Sequence, residues 1–188
     1  MYENLQLKRP ITKITINKLI YKINKEEKTA GIIGNYYSKG AIAFIPRSII
    51  YESQEYLVTT ICKNAFRGSE ISSIQFPSDS ELRKIESAVF YDSQIDTIKF
   101  PRSLEDLDEE WCDGTYMTRI FVDPRNPFYK NYDDKFIIGK SSKEKENFDV
   151  LLFSIRNIQI AEIPEFIEII APNAFSECRK LETVNFSE

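Results

Sequence analysis

The chain has 188 residues, a length suited to one domain, two at most, and sufficient to bury a core without help from metals or disulfides. Hydrophobic residues make up 42% and charged residues 29%, and the net charge of −4 lacks the clustered basic footprint of a nucleic-acid binder. No histidine occurs, which excludes Ser-His-Asp and Cys-His catalysis, His-ligated metals and His-based pH sensing.

Isoleucine dominates the apolar set, with 27 Ile against 10 Leu, beside 13 Phe and 10 Tyr, a composition that favours pleated structure. Cys62, Cys112 and Cys178 lie far apart without a CxxC pair, and read as small buried hydrophobes with no disulfide among them.

Residues 1–10 read as a polar leader. Lys13, Lys18 and Lys22 interrupt every apolar run of signal-peptide length, and nothing approaches the ~18 apolar residues of a membrane span, so no membrane insertion is expected. From 11 to 60 come short β-prone runs (ITKITI, KLIYKI, AGIIG, AIAFI, SIIY, EYLVTTI), separated by turns such as Asn24 to Lys28 and Ser38-Lys39-Gly40. Residues 1–56 are accordingly assigned as leader and β cap, and 57–188 as repeats.

The repeats align on an Ala-Phe-like dyad. ICKNAF ends at Phe66, IESAVF at Phe90, LDEEWC at Cys112 and IAPNAF at Phe175, each with an aliphatic residue five positions earlier: Ile61, Ile85, Leu107 and Ile170. Five or six residues after each dyad comes a segment of the form LxxIxF: ISSIQFP, IDTIKFP, MTRIFVD and LETVNFS, with AIAFIP and IQIAEIP as degenerate versions. A strand every 22 to 24 residues is too widely spaced for hairpins throughout. It fits parallel stacking, in which each turn of the chain lays one strand beside the last and buries its open apolar ends on the neighbour. Ile61, Phe66, Ile74, Phe76, Ile85, Phe90, Ile98, Phe100, Ile170 and Phe175 should line one buried spine. From 123 to 157 the pattern lapses, and KFIIG and DVLLFSI read as a hairpin around the charged tip Lys140 to Asn147; the repeat resumes at 158.

The combined pattern LxxIxxxAFxxCxxLxxIxFP resembles the BspA-like leucine-rich repeat family of bacterial and protist surface antigens. The stretch Ser48 to Ile61 is similar to that family's entry motif, and Ile120 to Gly139 (IFVDPRNPFYKNYDDKFIIG) to its insertion. Two departures stand out: Trp111 and Cys112 replace the third Ala-Phe dyad, so the third repeat should pack less regularly. The resemblance implies a mainly β fold with short helical turns: a right-handed leucine-rich-repeat solenoid with a parallel strand ladder, an N-terminal β cap and a β-hairpin insertion. It also implies a non-catalytic adhesion or recognition module on the cell surface or secreted; a cytoplasmic scaffold assembling protein complexes is the alternative.

Candidate chemistry is sparse. The acidic cluster Glu105, Asp106, Asp108, Glu109, Glu110 and Asp113 lacks a calcium-loop pattern and reads as a solvated face on a helical turn. Asp123, Asn126, Asp133 and Asp134 have irregular spacing and read as loop and hairpin turn. No phosphate-cradling motif occurs, and no metal or cofactor is expected. Asn185-Phe186-Ser187 is a glycosylation sequon that overlaps a strand and is treated as incidental. The stronger candidate is the row of outward strand positions: Ser72, Ser73 and Gln75; Asp96, Thr97 and Lys99; Thr118, Arg119 and Phe121; Glu182, Thr183 and Asn185. Stacked strands would align them into one face suited to a protein or glycan partner. Phe128, Tyr129 and Tyr132 are an alternative contact point. At the C-terminus, Leu181, Val184 and Phe186 would present an open edge, covered either by further repeats of a longer protein or by self-association.

Overall fold

Successive side chains on a strand point to opposite faces, and the isoleucine-rich runs use that alternation to bury one face and wet the other. The computed structural model describes residues 12–186, with seventeen strands and no helix among them. The leader expected over 1–10, together with Ser187 and Glu188, lies outside the described residues.

In chain order, β1 (Thr12–Ile16), β2 (Leu19–Asn24) and β3 (Thr29–Asn35) form an antiparallel meander. Then come β4 (Ile42–Phe44) and the hairpin of β5 (Ser48–Tyr51) with β6 (Gln54–Ile61). Short strands follow: β7 (Ser73–Gln75), β8 (Lys84–Ile85), β9 (Thr97–Phe100), β10 (Asp106–Leu107) and β11 (Arg119–Val122). Next are β12 (Tyr129–Tyr132), β13 (Phe136–Gly139) and β14 (Val150–Ser154), and the described chain closes with β15 (Ile160–Ile163), β16 (Ile169–Ile170) and β17 (Thr183–Phe186).

Two parallel ladders arise because the chain visits them alternately. One runs β3-β6-β8-β10, extended outward by β2 and β1; the other runs β4-β7-β9-β11. After β11 both break. The antiparallel strands β12, β13 and β14 form a new sheet joined by β16, while β15 pairs only with β17. Of two apolar clusters, the large one spans β1 to β11 and also takes in Ile137 of β13 and Phe153 of β14, and the smaller one lies around Phe136, Leu151, Ile158 and Ile163.

The helical turns expected at the dyads do not form. Each is instead a tight turn with two residues at positive φ, four positions apart: Asn64 and Gly68, Ala88 and Asp92, Glu110 and Gly114, Asn173 and Glu177. This geometry aims the backbone along the stack. Phe66 N donates to Val89 O (3.0 Å) and Gly68 N to Tyr91 O (2.8 Å), and one repeat later Phe90 N donates to Trp111 O (2.8 Å) and Asp92 N to Asp113 O (3.0 Å). A helical turn would spend those donors within itself.

Most of the expected spine is buried, with three corrections. Phe76 is only half-buried because a groove opens beside it. Phe175 is half-buried and Ile170 is 40% exposed, because they belong to the last repeat and nothing described stacks beyond it. The third repeat does not pack loosely: Trp111 is buried against Phe90, Phe100 and Phe153, with ring centroids 6.0, 5.3 and 5.8 Å away. Cys62, Cys112 and Cys178 are all free thiols, and burial pushes the Cys112 thiol up to about 12.

Phe90→Ala, which removes a fully buried ring stacked on Phe66, should lower unfolding stability by ~3–5 kcal/mol in urea titration. The paired turns predict a further ordering. Gly68→Ala has open space around its Cβ and should cost only the ~1–2 kcal/mol of a left-handed alanine. Gly114→Ala would place its Cβ 2.3 Å from Asp92 Oδ1 and 3.2 Å from Asp92 N, and should cost clearly more. Equal losses would show that the turns do not stack on one another.

Candidate functional site

The outward face is laid out by the register of β4, β7, β9 and β11. Ile42, Ser73, Thr97 and Arg119 stand in one row across the four strands, and Ala43, Ile74, Ile98 and Ile120 in the next. The second row is buried and fixes the sheet to the core. The residues one step further along, Phe44 beside Gln75 and Lys99 beside Phe121, point outward again. The face is therefore a small grid whose positions are set by the inner row beneath it.

Nine of the twelve positions read from the sequence lie on or beside this grid. Hydrogen bonding sorts them. Asp96 accepts from Thr97 Oγ1 (3.1 Å), from Arg119 Nη2 (2.8 Å) and from the Thr118 hydroxyl. Burial alone would raise the Asp96 carboxyl, but these donors outweigh it and hold the group below the ordinary carboxylate range. Asp96, Thr97, Thr118 and Arg119 thus satisfy one another. The Ser72 hydroxyl is spent on Gly40 O (3.1 Å). Ser73, Gln75, Lys99 and Phe121 make no side-chain hydrogen bond or ion pair among the described residues, so they are the groups open to a partner.

Glu182, Thr183 and Asn185 are not part of this grid, which corrects the expectation of one continuous face. They sit on or beside β17, which pairs with β15, and Asn185 Nδ2 donates to Glu162 Oε1 (2.8 Å). The ladder stops at β11 because β12 covers its edge: Asn131 Nδ2 donates to Ile120 O (2.8 Å) while Asn131 Oδ1 accepts from Val122 N. One side-chain amide thus occupies the place of the next strand.

Two positions were missed. AIAFIP reads as a degenerate repeat, yet its β4 carries Ile42 and Phe44, 52% and 53% exposed. Phe44 and Phe121 (45% exposed) occupy the two outer strands of the sheet, with Gln75 and Lys99 between them. The signal was the proline after the strand, Pro46, at the same place as Pro77 and Pro101.

At the C-terminal ends of β7 and β9 the grid runs into a groove of about 480 Å³, whose lining includes Gln75, Phe76, Pro77, Lys99, Arg102 and Arg125. Arg125 is already engaged: its side chain and backbone N–H donate to Asp123 at 2.9–3.0 Å and hold that carboxyl down to about 2. Asp123 lines the groove as well and also feels the Lys99 charge, but neither Lys99 nor Arg102 forms an ion pair among the described residues.

The other candidates are structural. Asn126 is buried, donates to Pro101 O and Leu104 O (both 2.9 Å) and accepts from Phe128 N and Tyr129 N (both 2.8 Å). Asp133 and Asp134, both at positive φ, are the first two residues of the three-residue β12–β13 turn. Tyr129 and Tyr132 are partly buried strand residues, and Tyr129 packs on Phe100. Part of the acidic cluster is paired rather than merely solvated: Lys84 meets Asp108 (2.9 Å), and Lys143 from the β13–β14 loop meets Asp106 (2.8 Å). No group of three or more metal-ligating side chains occurs among the described residues.

With this geometry in place, comparison with known proteins is direct. The family described as BspA type leucine rich repeat region matches residues 43–136 and 147–188 in six copies. No curated protein matches the chain in sequence. Solved structures similar to it include a leucine-rich repeat protein from Bacteroides ovatus (18% identity over 92% of this chain and 53% of that one, TM-score 0.48). Others are a leucine rich cell surface protein from Faecalibacterium prausnitzii (11%, 95% and 77%, TM-score 0.41) and a pneumococcal vaccine antigen (16%, 93% and 70%, TM-score 0.35). The chain spans about half the length of the first of these.

The Asn131 amide makes a direct test of the edge. Asn131→Ala leaves Ile120 O and Val122 N without partners and should cost about 1–3 kcal/mol by urea titration, with amide exchange at Val122 accelerated. Asn131→Asp, which turns the donor into an acceptor facing Ile120 O, should cost at least as much.

Proposed function

The chain belongs to the BspA-type leucine-rich repeat family, and from that premise we propose that it is a non-catalytic recognition module whose repeats wind as a right-handed solenoid. In this reading β1 to β3 cap the first repeat, residues 123–157 are an insertion, and the outward face of β4, β7, β9 and β11 contacts a protein or glycan partner at the cell surface. The observation that carries the proposal is the grid itself. Phe44 and Phe121 stand exposed on its outer strands, and Gln75 and Lys99 between them have polar groups that nothing described satisfies. Aromatic anchors around open polar groups are what interface centres use.

One observation favours the alternative of an intracellular scaffold: all three cysteines are free, as thiols in a reducing compartment are. The exposed apolar residues Ile169, Ile170, Val184 and Phe186 are a second proposed contact, for a second copy of the chain.

Site-directed photocrosslinking in the producing cell tests the face. A photoreactive residue at Gln75 or Phe121 should yield a discrete adduct, and the same residue at Arg67, on a dyad turn, should not. Adducts formed equally from all three positions, or from Arg67 alone, would discard the strand face as the binding surface. Labelling intact against permeabilised cells then separates surface from scaffold.

A further inference from the structure

Of the cations around the outward face, most are spoken for. Arg119 is bound to Asp96, Arg125 to Asp123, and Arg47 to Glu55, Asp79 and Glu81. Lys99 and Arg102 are the exceptions: both line the groove at the ends of β7 and β9, and neither has an ion pair among the described residues. The lining sets Lys99, Arg102 and Arg125 against the one carboxylate of Asp123, which Arg125 already holds, so the groove keeps a net positive field.

The rest of the lining narrows what that field attracts. Phe76 and Pro77 give the groove apolar surface, and Gln75 is its main neutral polar side chain from β7. Ser73, Ser78 and Thr97 add small hydroxyls to the lining, and a saccharide is therefore the competing occupant that the test below includes. An apolar surface beside two fixed cations instead suits a side chain such as Leu or Phe next to a carboxylate. The volume of about 480 Å³ lies within the usual range of sites that enclose small ligands or a few residues, not a folded domain.

We propose that this groove binds a short acidic peptide segment of a protein partner, with a carboxylate between Lys99 and Arg102 and a neighbouring apolar side chain against Phe76 and Pro77. The proposal rests on the strand-face reading and specifies the partner's chemistry. Arg125, held by Asp123, frames the groove without competing for the carboxylate.

The test is selection of a random dodecapeptide phage library on the 188-residue chain, beside a sulfated-hexasaccharide binding assay. Selected peptides should be enriched in Asp or Glu adjacent to an apolar residue. The strongest of them, remade with a fluorescent label, should bind the K99E/R102E variant at least ten-fold more weakly in anisotropy titrations. Raising salt from low to high should weaken it further, as expected for an exposed charge pairing. Lys99→Gln and Arg102→Gln, tested singly, should each give a smaller loss, and Arg179→Glu, distant from the groove, none. Selection without acidic enrichment, equal binding by K99E/R102E, or binding of the hexasaccharide alone would overturn the proposal. Photocrosslinking from Phe121 separates the two readings. An adduct that persists in K99E/R102E keeps the strand face and removes the groove, whereas loss of specific adducts in the wild type removes the face itself.

Discussion

Each repeat leaves backbone N–H and C=O groups pointing along the stack, and only the next repeat can satisfy them. Buried peptide groups without partners are costly, so this one requirement governs everything from the core to the surface. It is met in three columns: the ladder β3-β6-β8-β10, the ladder β4-β7-β9-β11, and the dyad turns bonded turn to turn. The left-handed residues follow from the third column. Ala88 accepts an unfavourable φ because it aims the N–H groups of Phe90 and Asp92 at the adjacent repeat. The isoleucine column Ile74, Ile98 and Ile120 follows from the second, since in-register parallel strands put identical positions side by side.

The same requirement explains how the stack is interrupted without exposing an edge. At β11 the strand β12 supplies an amide in place of a ladder partner, and Asn131 satisfies two backbone groups with one side chain. The two apolar clusters then meet at a buried arginine. Arg156 is 4% exposed, lies 4.2 Å from the Phe153 ring and donates to Ala174 O (3.0 Å), between the sulfurs of Cys112 and Cys178 at 3.9 and 3.8 Å. A guanidinium tolerates such a place better than an ammonium because it is weakly hydrated and can stack on a ring. The β13–β14 loop is anchored as well. Burial would raise the Asp149 carboxyl, but Lys145 and the Ser141 hydroxyl and N–H hold it down to about 2, so the tip 140–149 stays tied at any pH above the acid range.

Much of this was legible because periodicity is a sequence property. The spacing of Phe66, Phe90 and Cys112, and the LxxIxF segments after them, give the strands β7, β9, β11 and β17 and the family. What escaped had no local signal. Left-handed turns usually announce themselves by glycine, yet here Asn64, Ala88, Glu110 and Asn173 take the first position of each pair. The hairpin turns Asn17-Lys18 and Glu52-Ser53 also lack the Asn-Gly signature. Arg156 reads in sequence as one more surface charge, because burial beside Phe153 depends on how two distant blocks meet. The site was half legible for a similar reason. Alternation shows which residues point outward, but not that Thr118 and Arg119 will close onto Asp96 on the neighbouring strand.

That closing of polar groups onto one another decides where recognition can occur. An exposed ion pair contributes little to stability, so the Asp96–Arg119 contact matters chiefly by removing two charges from the face. What remains is a neutral sheet flanked by Phe44 and Phe121, with Lys99 at the point where the grid opens into the groove. Each strand contributes only two outward positions, and neither touches the column of isoleucines below. Substitutions there leave the backbone columns and the core intact. The stack thus holds its geometry through buried residues that cannot vary freely, and presents its specificity through exposed ones that can. In the proposed reading, separation of the two roles by strand alternation would let one repeat framework carry different partners.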